Sequence, residues 1–166
     1  MSDSNFMNQE YFIVALSSEI NVGLSLVDMG TIAQFEVPNI CTVPGVANFW
    51  YGVVNFKGSL LWVLDSDRFF NLNLNAHHNR QLHKLTTVIL KNQQSVNQKR
   101  VAIVTQQLLG ILAVESSSLK PLTDNVCPTL REYCSAMVKT ELQTAYIIDS
   151  AALLTRLHQQ SILVSA

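Results

Sequence analysis

The chain has 166 residues, 48% of them hydrophobic and 14% charged, with a formal net charge of -1. That length allows one domain, or two small subdomains on a common core. So small a basic content excludes an electrostatic nucleic-acid binder, and no apolar run approaches the roughly 20 residues of a membrane helix.

The first ten residues, MSDSNFMNQE, carry neither a positive nor an apolar signal region, so no secretory signal is expected. Cys41, Cys127 and Cys134 are odd in number and lack CxxC spacing. They fit three separate thiols in a reducing cytoplasm. A charged share well below the usual figure of about 25% leaves uncharged surface available for contact with partners.

Residues 1–9 form a polar tail. Tyr11 to Leu16 is a continuous apolar run and predicts a strand buried on both faces. Ile20, Val22, Leu24 and Leu26 alternate with polar or small residues, which predicts a second, half-buried strand in a hairpin with the first. Val27 to Phe35 is expected to form a short helix, weakened by Gly30 at about 1 kcal/mol relative to Ala. Pro38 and Pro44 bracket an extended connection.

Gly52 to Phe56 and Ser59 to Leu64 are predicted strands joined at Lys57-Gly58, where Gly58 supplies the freedom of a tight turn. Asp65 and Ser66 then start a short helix, because their side-chain oxygens accept from free backbone N–H groups. Residues 71–83 read as a polar linker. Further strands are expected at Thr86–Leu90, Val101–Val104 and Leu108–Val114, with a polar loop from Lys91 to Lys99. Pro121 and Pro128 frame an irregular connection, and Met137-Val138 pairs with Thr144–Ile148. Asp149 and Ser150 cap a last helix bearing Leu153, Leu154 and Leu157 on one side.

The two halves echo each other, with VLDSDRFF in the first and IIDSAALL in the second. Each is an apolar strand, an Asp-Ser cap and a helix with two bulky apolar residues. Short strands at close spacing favour barrels, so the fold class expected is mainly β. One domain is expected over residues 10–158, with tails at 1–9 and 159–166. Its first subdomain would span about 20–84 and its second about 85–150 plus the N-terminal strand.

Sequence chemistry argues against catalysis. His77, His78 and His83 lie in an Asn-rich stretch with no metal-ligand spacing. Asp65 and Asp67 have a sufficient role at a helix start, where a carboxylate meets the positive end of the helix. No GxSxG, GxxxxGK[ST] or GxGxxG motif occurs. No catalytic residue, metal or cofactor is therefore expected. Trp50 and Tyr51 suit an interface anchor and a barrel seal equally well.

Three marks in order resemble the CheW family of chemotaxis coupling proteins over roughly residues 10–158. The first is Gly52-Val53-Val54-Asn55-Phe56-Lys57-Gly58, then a strand and Asp65. The second is Val22 to Leu26 leading to Met29 and Ile32, and the third is Arg100-Val101-Ala102-Ile103-Val104. The resemblance implies two SH3-like five-stranded barrels on a shared apolar core, with short helices including a C-terminal one. It implies a non-catalytic adaptor bridging the cytoplasmic tips of methyl-accepting chemoreceptors to the regulatory domain of a CheA-type histidine kinase, in arrays at the membrane. Its contact positions transfer to Met29 and Thr31 on the early helix, and to Gly52, Asn55, Lys57 and Gly58. Departures are Lys57 for the customary Arg, Thr31 for Glu, Trp62 for Pro and Gln106 for Asp. Lys keeps the charge of Arg but loses its planar fork, which opens the alternative of divergent partners in pilus motility or phototaxis. A small-molecule-binding barrel is a remoter alternative, motivated only because barrels can hold ligands.

Overall fold

The computed structural model describes residues 8–72, 82–93 and 99–163, without the side chains of 161–163. Ten strands form two curled five-stranded sheets. In chain order they are β1 (Asn8–Ala15), β2 (Asn21–Ser25), β3 (Met29–Glu36), β4 (Trp50–Phe56), β5 (Ser59–Leu64), β6 (Lys84–Lys91), β7 (Arg100–Thr105), β8 (Gln107–Glu115), β9 (Cys134–Lys139) and β10 (Thr144–Ile148). Helices α1 (Ser66–Phe70), α2 (Pro128–Tyr133) and α3 (Ser150–Leu163) follow β5, precede β9 and follow β10.

One sheet runs β8-β1-β2-β10-β9 and the other β3-β6-β7-β5-β4. The hairpins that open each half have therefore changed places. β1 and β2 complete the sheet of the second half, while β6 and β7 complete that of the first. In both sheets the junction is parallel, β2 with β10 and β7 with β5. The division expected near residue 84 is thus crossed by both sheets. The expected division put the N-terminal strand with the second half but left β2 in the first half and β6 and β7 in the second, and their placement depends on pairing between strands far apart in sequence.

The exchange explains the continuous apolar runs. Leu61, Val63 and Ala102 fill one barrel. Tyr11, Ile13, Val138 and Ile147 fill the other. The alternate residues of the same strands, among them Val14, Leu64, Val101 and Ile103, meet in a core between the sheets with Phe70, Leu130 and Leu153. A strand with an interior on both sides needs apolar residues at every position. In β2 the expected polar face is a barrel wall instead: Gly23 leaves space for the side chains of Ile13 and Ile147.

Two local expectations change. Val27 to Phe35 is not a helix; Met29–Glu36 is strand β3, antiparallel to β6. Thr31 and Ile32 are β-branched and Gly30 is a poor helix former, so edge pairing wins. The connection framed by Pro121 and Pro128 contains α2, which Pro128 opens. Proline suits a first helical turn because its missing N–H would have no partner there. The linker expected at 71–83 and the loop at 91–99 lie partly outside the described residues. Asn71 ends α1 in the left-handed conformation, as a C-terminal cap.

Both Asp-Ser caps form, and they differ in one bond. Asp65 accepts from the N–H of Arg68 at 3.2 Å, and Asp149 from that of Ala152 at 3.0 Å. Ser66 Oγ donates to the Val104 carbonyl of β7 at 2.6 Å. The buried Ser150 hydroxyl has no hydrogen-bond partner among the described residues. Ser66→Ala is expected to lower stability by about 1–2 kcal/mol, whereas Ser150→Ala leaves it unchanged or raises it. Urea midpoints of the two variants check this, and equal losses would contradict it.

Candidate functional site

The β4–β5 hairpin builds the most distinctive exposed feature. Its two-residue loop has φ of 51° at Lys57 and 79° at Gly58. Positive φ at both central residues is the geometry whose twist matches a hairpin, and Asn-Gly or Gly-Gly normally fills it. The Gly58 N–H donates to Asn55 Oδ1 at 3.1 Å, which closes the turn. Phe56 packs edge-on to Phe35 with centroids 6.0 Å apart, and Lys57 Nζ lies 5.2 Å from the Phe56 centroid. Asn55, Lys57 and Gly58 are exposed, and the neighbouring Leu60 is 74% exposed. The result is a rigid tip presenting one cation beside an exposed apolar residue.

Met29 and Thr31 lie in the same sheet but on its opposite edge, in strand β3 rather than on a helix. The register places Met29 across from Leu90, Leu90 from Val101, Val101 beside Trp62, and Trp62 across from Val53. β3, β7 and β5 begin at this end of the sheet, and β6 and β4 finish there. Met29 and Thr31 thus lie at the start of β3, whereas Phe56 and Asn55 meet Phe35 and Glu36 at its finish, so the tip does not stand beside Met29 and Thr31. Thr31 is exposed; Met29 is half-buried against the core between the sheets.

Gly52, expected among the contacts, is buried. Its φ is 144°, and a Cβ there would fall inside contact distance of the Cys41 carbonyl oxygen and 2.8 Å from the Cys41 carbonyl carbon. It permits a close approach of backbones and offers no side surface to a partner. Trp50 is also structural: it packs against Trp62 at 5.1 Å and Phe49 at 5.5 Å. Tyr51 packs on the barrel interior, and burial first, then the Asp65 carboxylate, raises its phenol above the ordinary value of 10.0.

A shallow cleft of about 310 Å³ lies between the ends of β3 and β4, lined by Gln34, Phe35, Glu36, Asn39, Val54 and Asn55. It collects amides around a single carboxylate, and among the described residues no group of three or more His, Cys, Asp or Glu converges. His77 and His78 lie outside the described residues, while His83 borders a second cleft with Glu36, Pro38 and Lys84. Burial first, and Cys127 next, push the Cys134 thiol up to about 12, which makes it a core thiol and not a thiolate nucleophile. Among the described residues no helix is long and apolar enough to cross a membrane.

Reading the sequence alone missed two residues at this end, Lys91 and Arg100. They close β6 and open β7 directly opposite each other. The signal was available in the hairpin spacing, since each is the last or first residue of an apolar run.

Comparison with known proteins agrees with this architecture. No curated protein sequence matches the chain. The crystal structure of the scaffolding protein TtCheW from Thermoanaerobacter tengcongensis superposes with a TM-score of 0.69 at 16% identity, over 86% of this chain and 90% of that one. Such a likeness shows the fold. The model of the CheW-like domain matches residues 10–158, and this chain therefore belongs to the CheW-like family.

Proposed function

We propose that this protein is a non-catalytic adaptor of a chemotaxis-like pathway, holding a CheA-type histidine kinase beside the cytoplasmic tip of a chemoreceptor. Membership in the CheW-like family and the two-barrel fold support the reading. Its action is geometric. A body with one core common to both barrels transmits small displacements of a bound receptor to a bound kinase, because packed interiors yield little. The partners bring this protein to receptor arrays on the cytoplasmic face of the membrane.

The observation that carries the assignment of a contact face is Lys57. A lysine in the left-handed region costs about 1 kcal/mol relative to Gly or Asn, and it sits at an exposed tip that either residue would fit better. Strain of this kind gathers at functional positions. Lys57→Asn is expected to raise stability by about 0.5–1 kcal/mol while weakening partner binding. Lys57→Glu weakens binding further with the fold intact. Calorimetry against the regulatory domain of a CheA-type kinase and a receptor cytoplasmic fragment from the same genome checks both. Unchanged affinities would remove Lys57 from the contact face.

Lys57 and Thr31 in place of the family's Arg and Glu favour a second reading, in which the partners serve pilus motility or phototaxis. Recovery of only a pilus-linked or phototaxis kinase in a pull-down would select it.

A further inference from the structure

At the barrel end that carries Lys57, β6 finishes with Lys91 and β7 begins with Arg100, and the two are direct cross-strand partners. Both are half-buried. Alternation along the strands puts Lys91 on the face of Ile89 and Arg100 on the face of Ala102. Ile89 and Ala102 fill the barrel, so the two cations stand over its mouth. The backbone fixes them there: the Lys91 N–H donates to the Asp28 carbonyl at 2.8 Å, and the Asn92 N–H to the Lys99 carbonyl at 3.2 Å.

Like charges directly opposite in a sheet repel, and half-burial reduces the water that would screen them. A compensating carboxylate is the usual remedy. The ion pairs among the described residues lie elsewhere, at Arg68–Asp65, Lys84–Glu36 and Arg131–Asp124. Asp28, next to Lys91 through its backbone, forms no ion pair with it. Residues 94–98, Gln-Ser-Val-Asn-Gln, contain no acid. Lys99 and Lys57 add two more cations at this end without an ion pair among the described residues. A chain of net charge -1 has thus gathered four cations at one barrel end.

We propose that this mouth is an anion slot that receives an aspartate or glutamate side chain of a partner protein. Three features fit that occupant. The Arg100 guanidinium offers a planar fork matched to a carboxylate, and Lys91 a second donor opposite. Leu61, beside Arg100, and Val54, across from Leu61, are buried in the barrel beneath the two cations, and an apolar interior on that side strengthens a charge-assisted bond. The patch is compact, with no extended basic track for a polyanion. This deepens the adaptor reading and rests on it for the identity of the partner.

The test is an amide-shift titration of the isotopically labelled chain with a short glutamate-rich peptide and, separately, with inorganic phosphate, at low and high salt. Saturable shifts at Lys91, Asn92 and Arg100 with the peptide are expected, fading at high salt and absent in Arg100→Gln. Shifts at those amides with phosphate that exceed those with the peptide would overturn the carboxylate assignment, and no shifts with either would overturn the slot. In parallel, Arg100→Gln and Lys91→Gln should each weaken kinase-domain binding by on the order of tenfold, while Lys120→Gln, beside Met137 of the other barrel, does not. Urea midpoints of the Gln variants equal to or above the parent's at low salt show that the fold is kept. If the unaltered chain binds neither the kinase domain nor the receptor fragment, the adaptor reading falls, and the peptide titration still decides the slot.

Discussion

Gly52→Ala is expected to destabilise the protein by about 3 kcal/mol or more, the sum of backbone strain and overpacking. Gly52 has a φ of 144°, and the atoms that a Cβ would meet belong to the Cys41 and Thr42 backbone, with Thr42 Cα 3.1 Å away. Backbone cannot rotate aside as a flexible side chain can. That approach is also what closes the barrel. The Cys41 N–H donates to the Val53 carbonyl at 2.8 Å, and the Val53 N–H returns a bond to the Cys41 carbonyl at 2.9 Å.

The internal duplication sharpens the test. Lys120 and Met137 make the matching bridge in the second half. The β9–β10 ladder skips one residue there, as the β4–β5 ladder does beside Gly52. Ala136 consequently occupies the place of Gly52. Pure repeat logic would let alanine replace Gly52 at no cost, whereas the Cys41 contact forbids it. Gly58→Ala is the control: its φ is 79° and nothing lies within 4 Å, so only the strain of about 1 kcal/mol applies. Urea denaturation of the three proteins decides, and similar midpoints for the two alanine variants would show that Cys41 yields.

Features governed by neighbouring residues were legible in the sequence. The Asp-Ser caps, the Lys57-Gly58 turn and the apolar runs of β1, β5 and β7 each follow from chemistry within a few positions. Expectations failed where a distant partner decides. In Met29–Glu36 the β-branched Thr31 and Ile32 only lean towards a strand, and pairing with β6 decides it. The placement of β2, β6 and β7 in the sheet of the opposite half is a matter of which edge each finds. Of the expected contact positions, Asn55, Lys57 and Gly58 are exposed at the β4–β5 tip and Thr31 near the start of β3; Gly52 is buried for a steric reason that only Cys41, eleven positions earlier, reveals. The opposition of Lys91 and Arg100 follows from the register of the β6–β7 hairpin, which the apolar runs on either side of the loop suggest but do not fix.

Phe70→Ala should cost about 3–5 kcal/mol, and its more telling consequence is where the loss is felt. Phe70 is 0% exposed and belongs to the core between the sheets. Its ring meets Phe69 at 5.0 Å and Tyr133 at 6.4 Å, and its carbonyl accepts from Cys127 Sγ at 3.7 Å. Phe70 thus joins α1, which follows the first half's last strand, to α2 of the second half. If this core holds both barrels in one cooperative unit, removing the ring lowers the stability of both together. Trp50 and Trp62 pack in or against the core between the sheets, so fluorescence follows that shared core while far-ultraviolet circular dichroism follows the strands of both barrels. Coincident transitions, shifted equally in Phe70→Ala, are expected. A fluorescence transition that moves while part of the dichroism signal stays would mean that the shared core opens before the barrels unfold, and a body that loose could not carry a displacement from one partner to the other.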